Sequence, residues 1–361
     1  MEQDVLFSVE HGLARITLNR PKALNSLSLA MIRAMTAQLL AWRDDQAISA
    51  VLIHSSSDKA FCAGGDIRFF YEAGTHTPQA DSALLEDFFT EEYALNHLIH
   101  YYPKPYIARL NGIVMGGGMG VAQAGPGCRL RIVSDSTKMA MPEVNIGLFP
   151  DVGGSYFLAR TPGAIGDYLG LTGAVIKAED AIYAGLADLY LPDAEWPALL
   201  AGLNKIPAKD LVPYLRDFCA AYTQQLPVSQ LAQQQALIDK IFMQASVADI
   251  MHALANESSE FAKTCLKLMQ SRSPLMMCVT KEQLRRSPDL TVAACLRMER
   301  DMVRHCFKHG EVLEGIRALV IDKDNQPKWA IDSVEQVKQD DVLAFFAPVW
   351  PDYAHPLRHL L

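Results

Sequence analysis

The chain has 361 residues, half of them apolar and 20% charged, with a formal net charge of -8. That length allows a large core and more than one domain, and the net negative field argues against nucleic acid as a partner. No apolar run reaches the roughly 18 residues that a membrane helix needs, so no membrane association is expected. The N-terminal MEQDVLFSVEHG has no basic region followed by an apolar run, and no Arg and Ser bias. It resembles neither a secretory signal nor a transit peptide, and the expected location is cytoplasmic. The seven cysteines (Cys62, Cys128, Cys219, Cys265, Cys278, Cys295 and Cys306) include no CxxC pair. They read as reduced thiols rather than disulfides or a zinc site. His305 and His309 share a helix-face spacing but lack the glutamate of an HExxH motif, so two solvated histidines and no metal are expected.

In chain order, residues 5–9 and 15–18 alternate apolar with polar around His11-Gly12, which predicts a β-hairpin. Residues 28–42 carry apolar residues at helical spacing after a Ser28 cap. AVLIHSS (50–56) reads as a buried strand, 81–101 as a helix, and KPYIARLNG (104–112) as a strand ending at glycine. GGGMGVAQAG (116–125) reads as a tight turn entering a small-residue helix, and RLRIVSD and TKMAMPE as two further strands. Strands alternating with helical crossovers predict an α/β class. After about residue 190 the strand-like runs disappear. Segments 207–222, 228–244, 246–270 and 290–307 are helical in period, between Pro or Asn/Ser breaks. The expected division is a core over 1–190 and a mainly helical region over 191–361, with the boundary near LPDAEWP (191–197). The tail WPDYAHPLRHLL reads as a docking arm or a disordered end.

Two segments place glycines just after a strand, AFCAGGDIRFF (60–70) and NGIVMGGGMG (111–120). Glycine there lets the backbone approach a ligand, and a following helix start points free N–H groups outward. Two such loops together can form an oxyanion hole. Neither carries a GxxxxGK[ST] or GxGxxG phosphate frame. A third segment, MPEVNIGLFPDVGGSYFL (141–158), is mostly apolar yet holds Glu143 and Asp151.

The three blocks together resemble the signature of the crotonase (enoyl-CoA hydratase/isomerase) superfamily. The resemblance implies a spiral of ββα units that binds acyl-coenzyme A thioesters. It also implies that Gly65 and Gly117 supply the oxyanion-hole N–H groups. Hydratases of this kind need two glutamates. Here Gly120 stands where the first would be, and only Glu143 remains. The acid at 151, eight residues on, resembles instead the 3-hydroxyisobutyryl-CoA hydrolase subfamily. SPDLTVAACLRMERDM (287–302) and EGIRALVIDKDNQPKW (314–329) resemble its C-terminal blocks. The implied activity is release of coenzyme A from a short 3-hydroxyacyl-CoA, chiefly 3-hydroxyisobutyryl-CoA in valine breakdown. The alternatives are a hydratase or isomerase of the same fold, and a non-catalytic acyl-CoA-binding protein.

The resemblance also implies substrate contacts at Glu92, at Lys22, Ala23 and Leu24, and at Asp66 and Arg68. For Glu92 a solvated helix face is an equal alternative. Arg20, Arg317, Lys323 and Lys328 are further basic candidates for the coenzyme phosphates, the last three reading more simply as surface charges. With no GxSxG elbow and no histidine motif beside Cys62, the carboxylates are the natural actors. Glu143 either attacks the thioester or activates water. If the acids are close in an apolar pocket, their titrations couple and one pKa rises. Asp151, taken by itself, could instead cap the helix expected at 153–160. No cofactor is expected beyond the coenzyme carried by the substrate, and a homo-oligomer is left open.

Overall fold

His11 and Gly12 both adopt positive φ, 50° and 82°, and close a hairpin between β1 (Val5–Glu10) and β2 (Leu13–Leu18). The structure, a computed structural model, describes all residues except 1–2, 78–81, 124, 126–128, 204 and 208–209, so Cys128 lies outside the described residues. After the hairpin, the Ser28 hydroxyl accepts the Met31 N–H and starts α1 (Leu29–Asp44). Then come β3 (Ala50–Ser55), β4 (Ala60–Cys62), α2 (Ile67–His76) and α3 (Ala83–His100). β5 (Tyr106–Leu110), β6 (Ile113–Met115), α4 (Gly117–Gly120), β7 (Arg129–Val133) and β8 (Lys138–Ala140) follow. α5 (Gly154–Leu158), α6 (Ile165–Thr172) and β9 (Leu189–Tyr190) come next, and every later described element is helical.

The chain gathers into two compact units that interleave in sequence. The first comprises Met1–Gly65, Leu95–Met139 and Val175–Gln233. Its six-stranded sheet has the order β1-β2-β3-β5-β7-β9, antiparallel only between β1 and β2, and a second sheet has the order β4-β6-β8. Leu52, Ile107, Leu130 and Ile132 from the large sheet pack against Leu199, Leu203, Leu211 and Leu215. The helices Trp196–Leu203 and Leu211–Thr223 therefore belong to the first unit, and neither unit ends at a single cut near residue 190.

The second unit comprises Asp66–Ala94, Ala140–Ala174 and Gln234–Leu361. The expected helix over 246–270 is two helices, Val247–Ala255 and Glu260–Met269, the second capped by the Ser259 hydroxyl. The Pro274–Arg286 helix was not legible in the sequence, because Ser273 and Pro274 looked like a break. They are a helix start: Ser273 accepts the Met276 N–H, and proline suits the first turn, which has spare N–H groups anyway. The C-terminal tail docks on the Val292–His309 helix. Arg297 donates to the Leu360 carbonyl at 2.6 Å, the Val349 N–H donates to Asp301 at 2.9 Å, and Arg300 lies over the Trp350 ring.

In the first unit, one buried side chain ties the loop after β2 to the start of β4. The Asn25 amide donates to the Ser55 hydroxyl at 2.7 Å and to the Ala60 and Phe61 carbonyls at 3.1 Å. Its oxygen accepts the Arg20 N–H at 2.8 Å. Replacing it leaves several buried groups without partners. Asn25→Ala should lower stability by about 2–3 kcal/mol, read as a fall in Tm by calorimetry.

Candidate active site

The first unit places the two glycine loops side by side. β4 and β6 are parallel neighbours, with Cys62 opposite Val114, and each runs straight into its glycines. A Cβ on Gly118 would lie 2.4 Å from the Cys62 carbonyl oxygen, so only glycine permits this approach. Cys62 itself is buried and outside any disulfide, and its thiol donates to the Gly64 carbonyl at 3.7 Å. The Leu27 N–H binds the Gly64 carbonyl at 2.8 Å, and the Ala63 N–H binds the Leu24 carbonyl at 3.0 Å. The Lys22-Ala23-Leu24 segment is thereby held beside the first glycine loop. Neither the Gly65 nor the Gly117 N–H is used in a backbone hydrogen bond among the described residues.

The second unit gathers the acids. Glu143 opens a 3-10 turn, Glu143–Ile146, after Pro142. Gly147 ends that turn at φ +68°, and a Cβ there would lie 2.3 Å from the Glu311 carbonyl oxygen. The Glu311–Ile316 helix thus packs against the turn at backbone contact and fixes it. Asp151 follows Pro150, whose carbonyl accepts the Gln283 amide at 2.7 Å. Glu92 and Tyr93 lie on the part of α3 inside this unit. Phe70, Phe88, Phe89 and Phe307 stack around it, and Arg300 pairs with Glu86 at 2.5 Å. The Tyr93 hydroxyl donates to Asp151 Oδ2 at 2.7 Å.

A fourth carboxyl joins them. Glu299, on the Val292–His309 helix, is fully buried. It accepts the Gly153 N–H at 2.8 Å, the Ser155 N–H at 3.0 Å and the Ser155 hydroxyl. These are the free donors at the start of α5, so Glu299 caps this helix and Asp151 does not.

Electrostatically, the Asp151 charge makes the other three acids harder to ionise. Burial first, and then the Asp151 charge, hold Glu92 and Glu143 well above the usual carboxylate range. Burial raises Asp151 to about 6, with the Tyr93 hydrogen bond pulling the other way. Burial raises Glu299 to about 8 despite its three donors. One oxygen each of Glu92 and Glu143 is buried with no partner. Among the described residues, none of the four acids is in a salt bridge. Glu92 is therefore no solvated helix face: it is 2% exposed.

The remaining candidates lie elsewhere. Asp66 caps α2, accepting the Phe69 N–H at 3.3 Å. Arg68 is exposed, with a long 3.5 Å bond to the Val320 carbonyl. Arg317 is already neutralised by Glu314, Asp322 and Asp324, as a surface charge. His305 binds the Ala347 carbonyl, His309 stacks on Phe345, and no metal-binding group occurs among the described residues. Sequence reasoning missed Tyr93 and Glu299 as site residues. Tyr93 directly follows Glu92, and Glu299 falls inside the quoted block SPDLTVAACLRMERDM. A mid-helix tyrosine beside two glutamates, and a glutamate on an apolar helix face, were the available signals.

With this geometry in hand, the comparisons with known proteins are decisive. Residues 13–346 match the enoyl-CoA hydratase/isomerase family model. The chain belongs to that family. A mitochondrial 3-hydroxyisobutyryl-CoA hydrolase from Xenopus tropicalis is 40% identical over 335 residues, covering 92% of this chain and 85% of the relative. A crystal structure of a carnitinyl-CoA dehydratase from Mycobacterium thermoresistibile is 40% identical with a TM-score of 0.89, covering 97% of this chain and 98% of that one. The small ribosomal subunit protein mS47 of Neurospora crassa is 35% identical, covering 93% of this chain and 69% of its own length. The α/β class with a crotonase-type fold is borne out. The cytoplasmic expectation is corrected: the hydrolase relatives are named as mitochondrial, not cytoplasmic. Composition and surface charge do not encode a compartment, because an address segment is separate from the folded core.

The acids also give a stability signature. The ordinary values are 3.8 for Asp151 and 4.5 for Glu299, and both are raised on folding. Such groups contribute stability that is fully present below the unfolded value and lost as pH rises through the folded one. For Asp151 the loss runs from about pH 4 through about pH 6. Asp151→Asn should therefore gain stability relative to the unaltered protein as pH rises from about 4 through about 6, and level off above that. Thermal unfolding across that range reads it, and a difference that stays constant with pH contradicts it.

Proposed function

We propose that this chain is an acyl-CoA thioester hydrolase acting on 3-hydroxyisobutyryl-CoA, with a place in valine breakdown. The observation that carries the reading is the Glu143–Asp151 pair: two buried acids, both raised by burial and Glu143 also by the Asp151 charge, with Gly120 where a hydratase would hold its first glutamate. The 40% identity to a named hydrolase over 92% of the chain supports it.

In the coupled pair Asp151 is the readier to lose its proton and Glu143 the readier to keep one, so the working state holds a single proton. The pair can then take a proton from water as its oxygen attacks the thioester carbonyl, and give one to the sulfur as the carbon–sulfur bond breaks. The products are a 3-hydroxy acid and the coenzyme A thiol, and the pair regains its single proton. A direct attack by Glu143 gives the same products through a mixed anhydride that water opens. Gly65 and Gly117 N–H groups would take the negative charge that develops on the carbonyl oxygen. Loss of one such donor costs on the order of 10²–10³ in rate. Tyr93 orients Asp151, and the buried, unpartnered Glu92 oxygen is a candidate contact for the substrate's 3-hydroxyl. Lys22, Ala23, Leu24 and Arg68 are the proposed coenzyme contacts.

A lyase reading takes its support from the carnitinyl-CoA dehydratase similarity, and a non-catalytic reading from the ribosomal relative. One assay separates all three. The pure protein should release free thiol from 3-hydroxyisobutyryl-CoA and leave crotonyl-CoA unhydrated. Glu143→Gln should lower turnover by roughly 10²–10⁴-fold, the worth of an acid–base group. Hydration of crotonyl-CoA without thiol release points to a lyase, and inertness toward both substrates points to a scaffold.

A further inference from the structure

The backbone that presents Asp151 adopts a conformation its own residues disfavour. Val152, β-branched and buried, sits at φ +52°, and Gly153 follows at φ +86°. A β-branched residue in this region is a true outlier, and it persists only where its surroundings over-determine it. Here the restraint comes from 144–146 residues away: Glu299 holds the Gly153 and Ser155 N–H groups and the Ser155 hydroxyl. A second restraint is local, the Gly154 N–H on the Asp151 carbonyl at 2.6 Å.

Which donors Glu299 holds matters as much as how many. Aspartate tends to bond the N–H two residues further on, in an Asx turn. For Asp151 that donor is the Gly153 N–H, and Glu299 already occupies it. The Asp151 carboxyl is left with Tyr93 as its side-chain partner. We propose that Glu299 is a positioning residue of the hydrolase: it withholds the Gly153 N–H from Asp151, locks the strained Val152-Gly153 turn, and keeps the Asp151 carboxyl available to substrate. This rests on the hydrolase reading for its kinetic consequence, but not for its structural one.

The groups that face Glu299 are Asp151 and Ser155 on the turn and α5, Tyr93 on α3, and Cys295 one turn earlier on its own helix. Glu143 feels its charge, and Arg160 acts on the neighbouring Cys295. Ionisation of Glu299, near pH 8, would add negative charge beside a site where negative charge develops on the substrate. Turnover should therefore fall as pH rises through that value.

The test uses Glu299→Gln, which keeps the volume but sets an amide against the donors, and Ser155→Ala as a milder variant. The expected result for Glu299→Gln is a fall in kcat of about 100-fold with little change in KM, as for a reacting group displaced by about 1 Å. The alkaline limb near pH 8 should vanish, and Gly153 and Ser155 amides should exchange hydrogen faster. Ser155→Ala should move kcat and exchange in the same direction by less, and serves if Glu299→Gln does not fold. A Glu299→Gln enzyme with unchanged kcat and pH profile overturns the proposal, as does lost activity with unchanged exchange at both amides. If the unaltered protein releases no thiol, the hydrolase reading fails by itself. Hydrogen exchange then decides the positioning role alone: faster exchange at Gly153 and Ser155 upholds it, and unchanged exchange overturns it.

Discussion

Four of the buried carboxyl groups in the second unit act on one another, and among the described residues no cation pairs with them. Glu92, Glu143, Asp151 and Glu299 are each less than one-tenth exposed. An unpaired buried charge is expensive, and such groups lower the cost by holding protons. That constraint organises the surrounding chain. Helices from distant parts of the sequence close around the acids, and each acid is fixed by a different means. Glu143 stands on a turn wedged against the Glu311–Ile316 helix, Asp151 is held by a tyrosine, and Glu299 by backbone donors. The arrangement costs stability at neutral pH and supplies proton-transfer groups there in exchange, the usual trade at an active site.

The same constraint separates the two readings that the sequence left open for Asp151. An aspartate just before a helix is ordinarily a cap. Here the cap is Glu299, and the aspartate turns to Tyr93 instead. A helix start that is satisfied by a side chain from another helix leaves its own polar neighbours for other work. The strained φ of Val152 belongs to this picture, since relaxing the turn would return Asp151 to its local partner.

Legibility in the sequence followed the range of the interactions. The hairpin at His11-Gly12, the Ser28 cap and β3, β5 and β7 were readable, because period and punctuation encode them locally. β4, β6 and β9 were not, at three, three and two residues, too short to show a period. Glu143 and Asp151 stood out as acids in an apolar block. Tyr93 and Glu299 did not, because their partners lie 58 and 144–146 residues away. The change of texture near residue 190 marks the end of strands, yet the helices Trp196–Leu203 and Leu211–Thr223 still complete the first unit's core. Secondary structure and compact units need not share a boundary, since apolar helix faces go wherever a sheet face is left to cover.

The central claim is that burial raises the pKa of all four of these acids above the ordinary carboxylate range. Side-chain carboxyl titration by carbon-13 NMR, on the ligand-free protein with labelled Asp and Glu, tests it most directly. The account predicts one aspartate titrating at about 6 and one glutamate at about 8. Two further glutamates should titrate above the ordinary glutamate range, and the signals should be assignable by Asp151→Asn, Glu299→Gln, Glu92→Gln and Glu143→Gln. Titration of all four below about pH 5, in the range of exposed carboxylates, would contradict it.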